Sequence, residues 1–284
     1  MGKGKGYTGK SRGLPVNNQQ RALDLCRRAE LESDPDRACM LAAQAMECWP
    51  DCAEAYIILA RFTAEDDYQA AGMYSQAYNA GVSALGGLDL AKHANILWQD
   101  ELGRSCIRAL SQFARSIVDL TLYTDASLKF TLAQVLDEED NLGNRYYSIA
   151  CLVAIGDYEE AFEMLEGWDD PKDRLVSLGW LLANVHSGRR GEAEKELALQ
   201  ILEADRDLLQ WMVDPLTVES AIHLEYCNGD VEEVERLLGL FSEVWWMQPD
   251  AVEWLREVTG LDPPRKFNSD DLDLPLDMLQ KLGL

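Results

Sequence analysis

Three arginines on one stretch offer the clearest chemistry in this sequence. In ELGRSCIRALSQFARSIV, Arg104, Arg108, Ser111 and Arg115 recur at steps of four, three and four residues. A helix places such residues on one stripe. A guanidinium grips a carboxylate through two parallel hydrogen bonds, so the row suits an acidic group on a partner. It stands out because the chain carries 26 Lys and Arg against 50 Asp and Glu, a formal charge of −24. The plainer alternative is that these arginines pair with neighbouring surface acids.

Other reactive side chains point to no reaction. Cysteines stand at 26, 39, 48, 52, 106, 151 and 227, an odd number without a C-x-x-C pair, mostly at apolar helical positions. They read as reduced, buried thiols. His93, His186 and His223 sit among apolar residues, and a Cys–His nucleophilic pair needs a contact that spacing does not supply. A zinc site at Cys39, Cys48 and Cys52 lacks a fourth ligand at standard spacing. Glu159-Glu160 and Asp169-Asp170 are paired acids, better explained as solvated helix ends. No phosphate-binding loop or dinucleotide fingerprint occurs in a suitable context. The expectation is a non-enzymatic protein with no catalytic residue, no metal ligand and no cofactor.

Composition bounds the rest. A hydrophobic fraction of 47% supports a substantial core, and the abundance of Ala, Leu, Glu and Gln favours helix. The negative charge opposes nucleic-acid binding except through a basic N-terminal arm, and it would attract a basic partner. No run approaches a membrane span of ~18 apolar residues, and the N-terminus has no apolar core of a secretory signal. Gly6 stands where myristoylation wants Ser or Thr. A cytoplasmic location is expected.

The elements follow from periodicity and stop signals. Residues 1–16 hold four basic residues among glycines and read as a flexible arm. From Asn17 the pattern is helical, interrupted at Ser33-Asp34-Pro35, Trp49-Pro50-Asp51 and Asp66-Asp67. The repeat region spans 17–262, with an insertion around 86–106. Within it, Leu88, His93, Ile96, Leu97 and Trp98 suggest a linker and a short packed helix. Ala251 to Val258 reads as a capping helix. Residues 263–284 form an acidic tail with a short helix from Leu276 to Leu282.

A small residue opens each second helix: Ala38, Ala71, Ala126, Ala161, Ala193 and Val234, at steps of 33, 55, 35, 32 and 41 residues. With Gly156-Asp157-Tyr158-Glu159-Glu160-Ala161, and with Leu110, Phe113, Ala114 and Ile117 followed by Ala126, Phe130 and Ala133, the chain resembles the tetratricopeptide repeat family. That family repeats helix–turn–helix units of ~34 residues. The segments PDCAEAYIILA and DNLGNRYYSIACLVAIGDYEEA also look like a bacterial subgroup similar to the eukaryotic suppressor-of-tumorigenicity-seven protein. The family's small residue in the middle of the first helix is replaced by Leu59, Ile149, Leu181 and Ile222, and its opening Trp is missing.

The resemblance implies an all-α fold, an α–α superhelix of stacked helix pairs with a concave groove. It carries Tyr56, Arg108, Ser111, Arg115 and Tyr146 onto the groove face, with Leu178, Leu182, His223 and Tyr226 further along. Arg104 joins them through the stripe. The family's carboxylate-gripping Lys and Asn are absent from these positions. The expected function is an adaptor or scaffold that binds a segment of another protein or peptide, Arg108 and Arg115 gripping acid while Tyr56 and Tyr146 pack. The alternative is an acidic, chaperone-like holder of a basic partner, whose binding salt would weaken steeply. Trp211, Trp245, Trp246 and Trp254 read as core or cap, with a partner surface as the other reading. Spacing leaves the oligomeric state open.

Overall fold

Aspartates start many of the helices. Asp34 accepts a hydrogen bond from the Asp36 N–H at 3.0 Å, with Pro35 in the first turn. Asp66 accepts from the Gln69 N–H at 2.7 Å, and Asp100 from Leu102 and Gly103 at 3.0 and 3.1 Å. Asp173 and Asp205 cap in the same way. Each side chain satisfies donors that the first helical turn leaves unpaired. Part of the large negative charge is therefore structural punctuation.

The computed structural model describes residues 16–168, 173–214 and 231–262. Most of the basic arm, the acidic tail, and His223, Tyr226 and Cys227 lie outside the described residues. Every regular element described is helical, as the all-α expectation required. By its packing the chain divides into two compact units, between Ile155 and Gly156. Among the described residues no helix is long and apolar enough to cross a membrane.

The first unit holds α1 (Val16–Glu30), α2 (Pro35–Cys48), α3 (Ala53–Thr63), α4 (Asp67–Ala84), α5 (Leu90–His93), α6 (Glu101–Val118), α7 (Tyr123–Leu136) and α8 (Asn144–Ala154). Successive long helices pack together, and α1, α3, α6 and α8 also touch in sequence, forming one layer. Helices α2, α4 and α7 alternate with them, each packed against its neighbours along the chain. This is the packing of stacked helix pairs, each burying its apolar side against the next. Small residues permit close approach: a Cβ on Gly81 of α4 would stand 2.9 Å from the Cα of Cys106 on α6. Leu110, Phe130 and Tyr147 are buried, the last two with rings stacked at 5.4 Å. Each such side chain stabilises the unit by about 1.5–3 kcal/mol.

The insertion between α4 and α6 is ordered. It comprises α5 and a 3-10 turn over Leu97–Gln99. Sequence placed its end near residue 106, but the Asp100 cap starts α6 at Glu101. Gly103 then lies inside α6, where its missing side chain admits the Leu97 carbonyl.

The second unit holds α9 (Tyr158–Glu166), α10 (Arg174–His186), α11 (Glu192–Ala204), α12 (Arg206–Val213), α13 (Val231–Trp246) and α14 (Pro249–Thr259). The expected capping helix is α14, which returns onto α11, α12 and α13. Trp245 and Phe241 are fully buried, Trp211 nearly so, while Trp246 is exposed. Ala38, Ala71, Ala126, Ala161 and Val234 are buried as the repeat register requires. Ala193 is not: it is exposed, and α11 turns Ala198 and Ile201 inward instead. The register slips there because Gly191 and Glu194 set the helix start, with the Glu194 carboxylate accepting from the Gly191 N–H at 2.8 Å.

Candidate functional site

A cleft of about 290 Å³ opens in the first unit among α1, α3, α6 and the 3-10 turn. Helix periodicity supplies most of its wall. On α1, Leu23, Cys26, Arg27 and Glu30 follow one face; on α6, Glu101, Arg104, Ser105 and Arg108 do the same. Glu54 enters from the first turn of α3, and Trp98 closes the side contributed by the insertion.

The charges here are largely matched. The Arg108 guanidinium meets Glu30 at 2.9 Å and Glu54 at 3.2 Å. Arg27 pairs with Asp24 at 2.6 Å and with Glu101. Arg104 is different. Its Nη1 donates to the carbonyls of Trp98 and Gln99 at 3.1 and 3.4 Å, and among the described residues it has no carboxylate partner. Those carbonyls hold the guanidinium in place without neutralising it.

Glu54 is paired through one oxygen only. It is 7% exposed, and its Oε2 is buried without a hydrogen-bond partner. Burial pushes its carboxyl above the ordinary range, although Arg108 and the Ser105 hydroxyl pull the other way. For Arg108, burial works against the charge, but Glu54 and Glu30 outweigh it and raise the guanidinium further.

Of the residues singled out by sequence, Arg104 and Arg108 meet at this cleft. The rest of the stripe goes elsewhere. Ser111 is fully buried, and Arg115 is 3% exposed. Arg115 donates from Nη2 to the Leu142 carbonyl at 2.8 Å and lies 4.9 Å from the Tyr147 ring centroid. It braces the turn before α8, so the expectation that it grips a partner is corrected: the packing of α8 against α6 covers that end of the stripe. Tyr146 is buried too, and Tyr56 is half-buried against the cluster of Ala53, Ile57, Ala77 and Ala109. Neither tyrosine lines the cleft.

Sequence reasoning missed Arg27, Glu30, Glu54, Glu101 and Trp98. Trp98 left a signal, since a large aromatic in an insertion needs something to pack on. The others are ordinary charged helix residues until α1 and α3 are set beside α6. Among the described residues, no group of three or more His, Cys, Asp or Glu is arranged to hold a metal ion.

No protein-family model matches the chain, and no curated protein matches it. Among solved structures, the chain is similar to one described as a crystal structure of YrrB, a TPR protein with an unusual peptide-binding site. The identity is 19% over 67% of this chain and 90% of that one, with a TM-score of 0.49.

Proposed function

We propose that this protein is a non-enzymatic adaptor that holds a segment of another protein, and that its cleft grips an acidic group of that segment. The observation that carries the reading is Arg104, a cation fixed by two carbonyls beside Trp98 and left without a carboxylate of its own among the described residues. A partner's carboxylate arriving there would meet a positioned donor, and ordering that side chain would cost little because it is already held. Arg108, already paired twice, serves as a brace for α1 and α3. The repeat spacing of the sequence supports the same reading. A cytoplasmic site of action belongs with it, since seven cysteines suit a reducing compartment.

The test is fluorescence anisotropy with acidic, neutral and basic peptides of one length against the full chain. Acidic peptides should bind best, and Arg104→Gln, which keeps two N–H donors for the turn, should weaken them about tenfold, the loss of a charge-assisted bond. Equal binding by a variant with an unchanged circular dichroism spectrum would remove Arg104 from the account. The second reading, an acidic holder of a basic partner, is favoured by the charge of −24 and the unpartnered Oε2 of Glu54. Preferential, salt-sensitive binding of the basic peptides would select it.

A further inference from the structure

Cys26 and Cys52 are 26 positions apart in sequence, yet their sulfurs stand 3.6 Å apart inside the first unit. Cys26 is on α1, and Cys52 is the residue that caps α3. Both are almost fully buried, but Cys26 belongs to the wall of the cleft, which gives a small solute a route to the pair. We propose that Cys26 and Cys52 are a reversible dithiol–disulfide site, oxidised by a small peroxide entering through the cleft. The proposal is independent of the partner reading, because it concerns two sulfurs and one oxidant.

The geometry needs only a small adjustment. A disulfide holds its sulfurs at about 2.05 Å, so the pair must close by about 1.5 Å, within the reach of side-chain rotation and a slight shift of α1. At that distance one thiol can donate to the other sulfur. Cys26 is pushed well up by the bond it donates to Cys52 and then by burial. Cys52 is pulled down by that same bond, with help from the backbone N–H groups of Ala55 and Glu54 and against its burial. Both N–H groups belong to the first turn of α3, where a thiolate is favoured. One proton shared by two sulfurs makes one of them a thiolate at all times once the other proton has left.

The chemistry balances with hydrogen peroxide as the two-electron oxidant. Only Cys26 lines the cleft, so the reacting form is the less populated one: the shared proton moves to Cys52, and the Cys26 thiolate attacks the peroxide O–O bond. A sulfur–oxygen bond forms, and hydroxide leaves. Cys52 then attacks the Cys26 sulfenic sulfur; the sulfur–sulfur bond forms, the sulfur–oxygen bond breaks, and the second hydroxide takes up the Cys52 proton as water. The first hydroxide is neutralised by the proton released earlier. Overall, two thiols and one peroxide give one disulfide and two waters. The product would tie α1 to the start of α3, beside Glu54.

The experiment uses the reduced full chain, exposed to hydrogen peroxide, denatured, alkylated and mapped by mass spectrometry without reductant. Alkylated thiols should fall from seven to five, with a Cys26–Cys52 cross-linked peptide that dithiothreitol reverses. Cys26→Ser and Cys52→Ser should each abolish the cross-link, and Cys39→Ser should leave it intact. A cross-link between other cysteines at the same rate would overturn the proposal. So would stable sulfinic acid on Cys26 without a bridge, or no thiol loss at a dose that oxidises free cysteine in the same tube. If either serine variant misfolds by circular dichroism, the wild-type peptide map decides alone.

Discussion

Asp140 illustrates how one side chain can be well bonded and still disfavoured as an anion by its surroundings. Its backbone is left-handed, with φ of 49°, and its carboxylate accepts from the N–H groups of Asn144 and Arg145 at 2.8 and 3.1 Å, capping α8. Burial nevertheless lifts its carboxyl to about 6, against the pull of those N–H groups and of the Arg145 charge. A raised carboxyl stabilises the fold most below its unfolded value of 3.8, and that contribution is lost as pH rises through about 6. Asp140→Asn cannot lose it. The stability of wild type minus variant should therefore fall by about 2 kcal/mol between pH 4 and pH 6 in urea titrations. A constant difference would refute the assignment. His186 has the opposite sign: burial, then the charge of Arg190, lowers it to about 4 against a smaller pull from Asp250, so its contribution fades on acidification. Only the difference between variants isolates Asp140.

At the scale of elements, the insertion decides whether the cleft has a wall. The 3-10 turn is docked by Arg104 reaching its carbonyls and by Gly103 making room. A Cβ at Gly103 would overlap the Leu97 carbonyl oxygen, a clash with backbone that no rotamer relieves. Gly103→Ala should cost about 1–3 kcal/mol, as overpacking does, read as a lower urea midpoint and a shifted Trp fluorescence from Trp98. Gly72→Ala is the comparison: on α4, nothing stands within 4 Å of its added Cβ, so it should gain about 0.5–1 kcal/mol from helix propensity. Equal effects at both glycines would mean that the turn does not depend on this contact.

For the whole molecule, the charge of −24 exerts an effect that no single contact describes. Many ion pairs here are exposed, such as Lys92–Asp89 and Arg37–Asp34, and each contributes about 0–1 kcal/mol. Self-repulsion among the excess acids is the larger effect. Raising ionic strength from about 0.01 to 0.15 M shortens the screening length from about 30 to 8 Å. The thermal midpoint of the full chain should therefore rise with sodium chloride over that range. A midpoint that falls would show that attractive pairs outweigh the repulsion.

Helix positions were legible from sequence because they depend on local chemistry: Pro and Asp at starts, small residues every second helix, and apolar positions repeating at the helical period. The insertion before α6 and the capping helix α14 were legible for the same reason. Arg104 and Arg108 could be read as one stripe, since four residues of separation on a helix leaves no choice of face. What covers that stripe was not legible. Arg108 meets Glu54 and Glu30 from 54 and 78 positions earlier, and Arg115 vanishes beneath the turn before α8. The contact of Cys26 with Cys52 is of that kind too. Burial and pairing between distant segments depend on which helix faces meet, and only tertiary packing sets that.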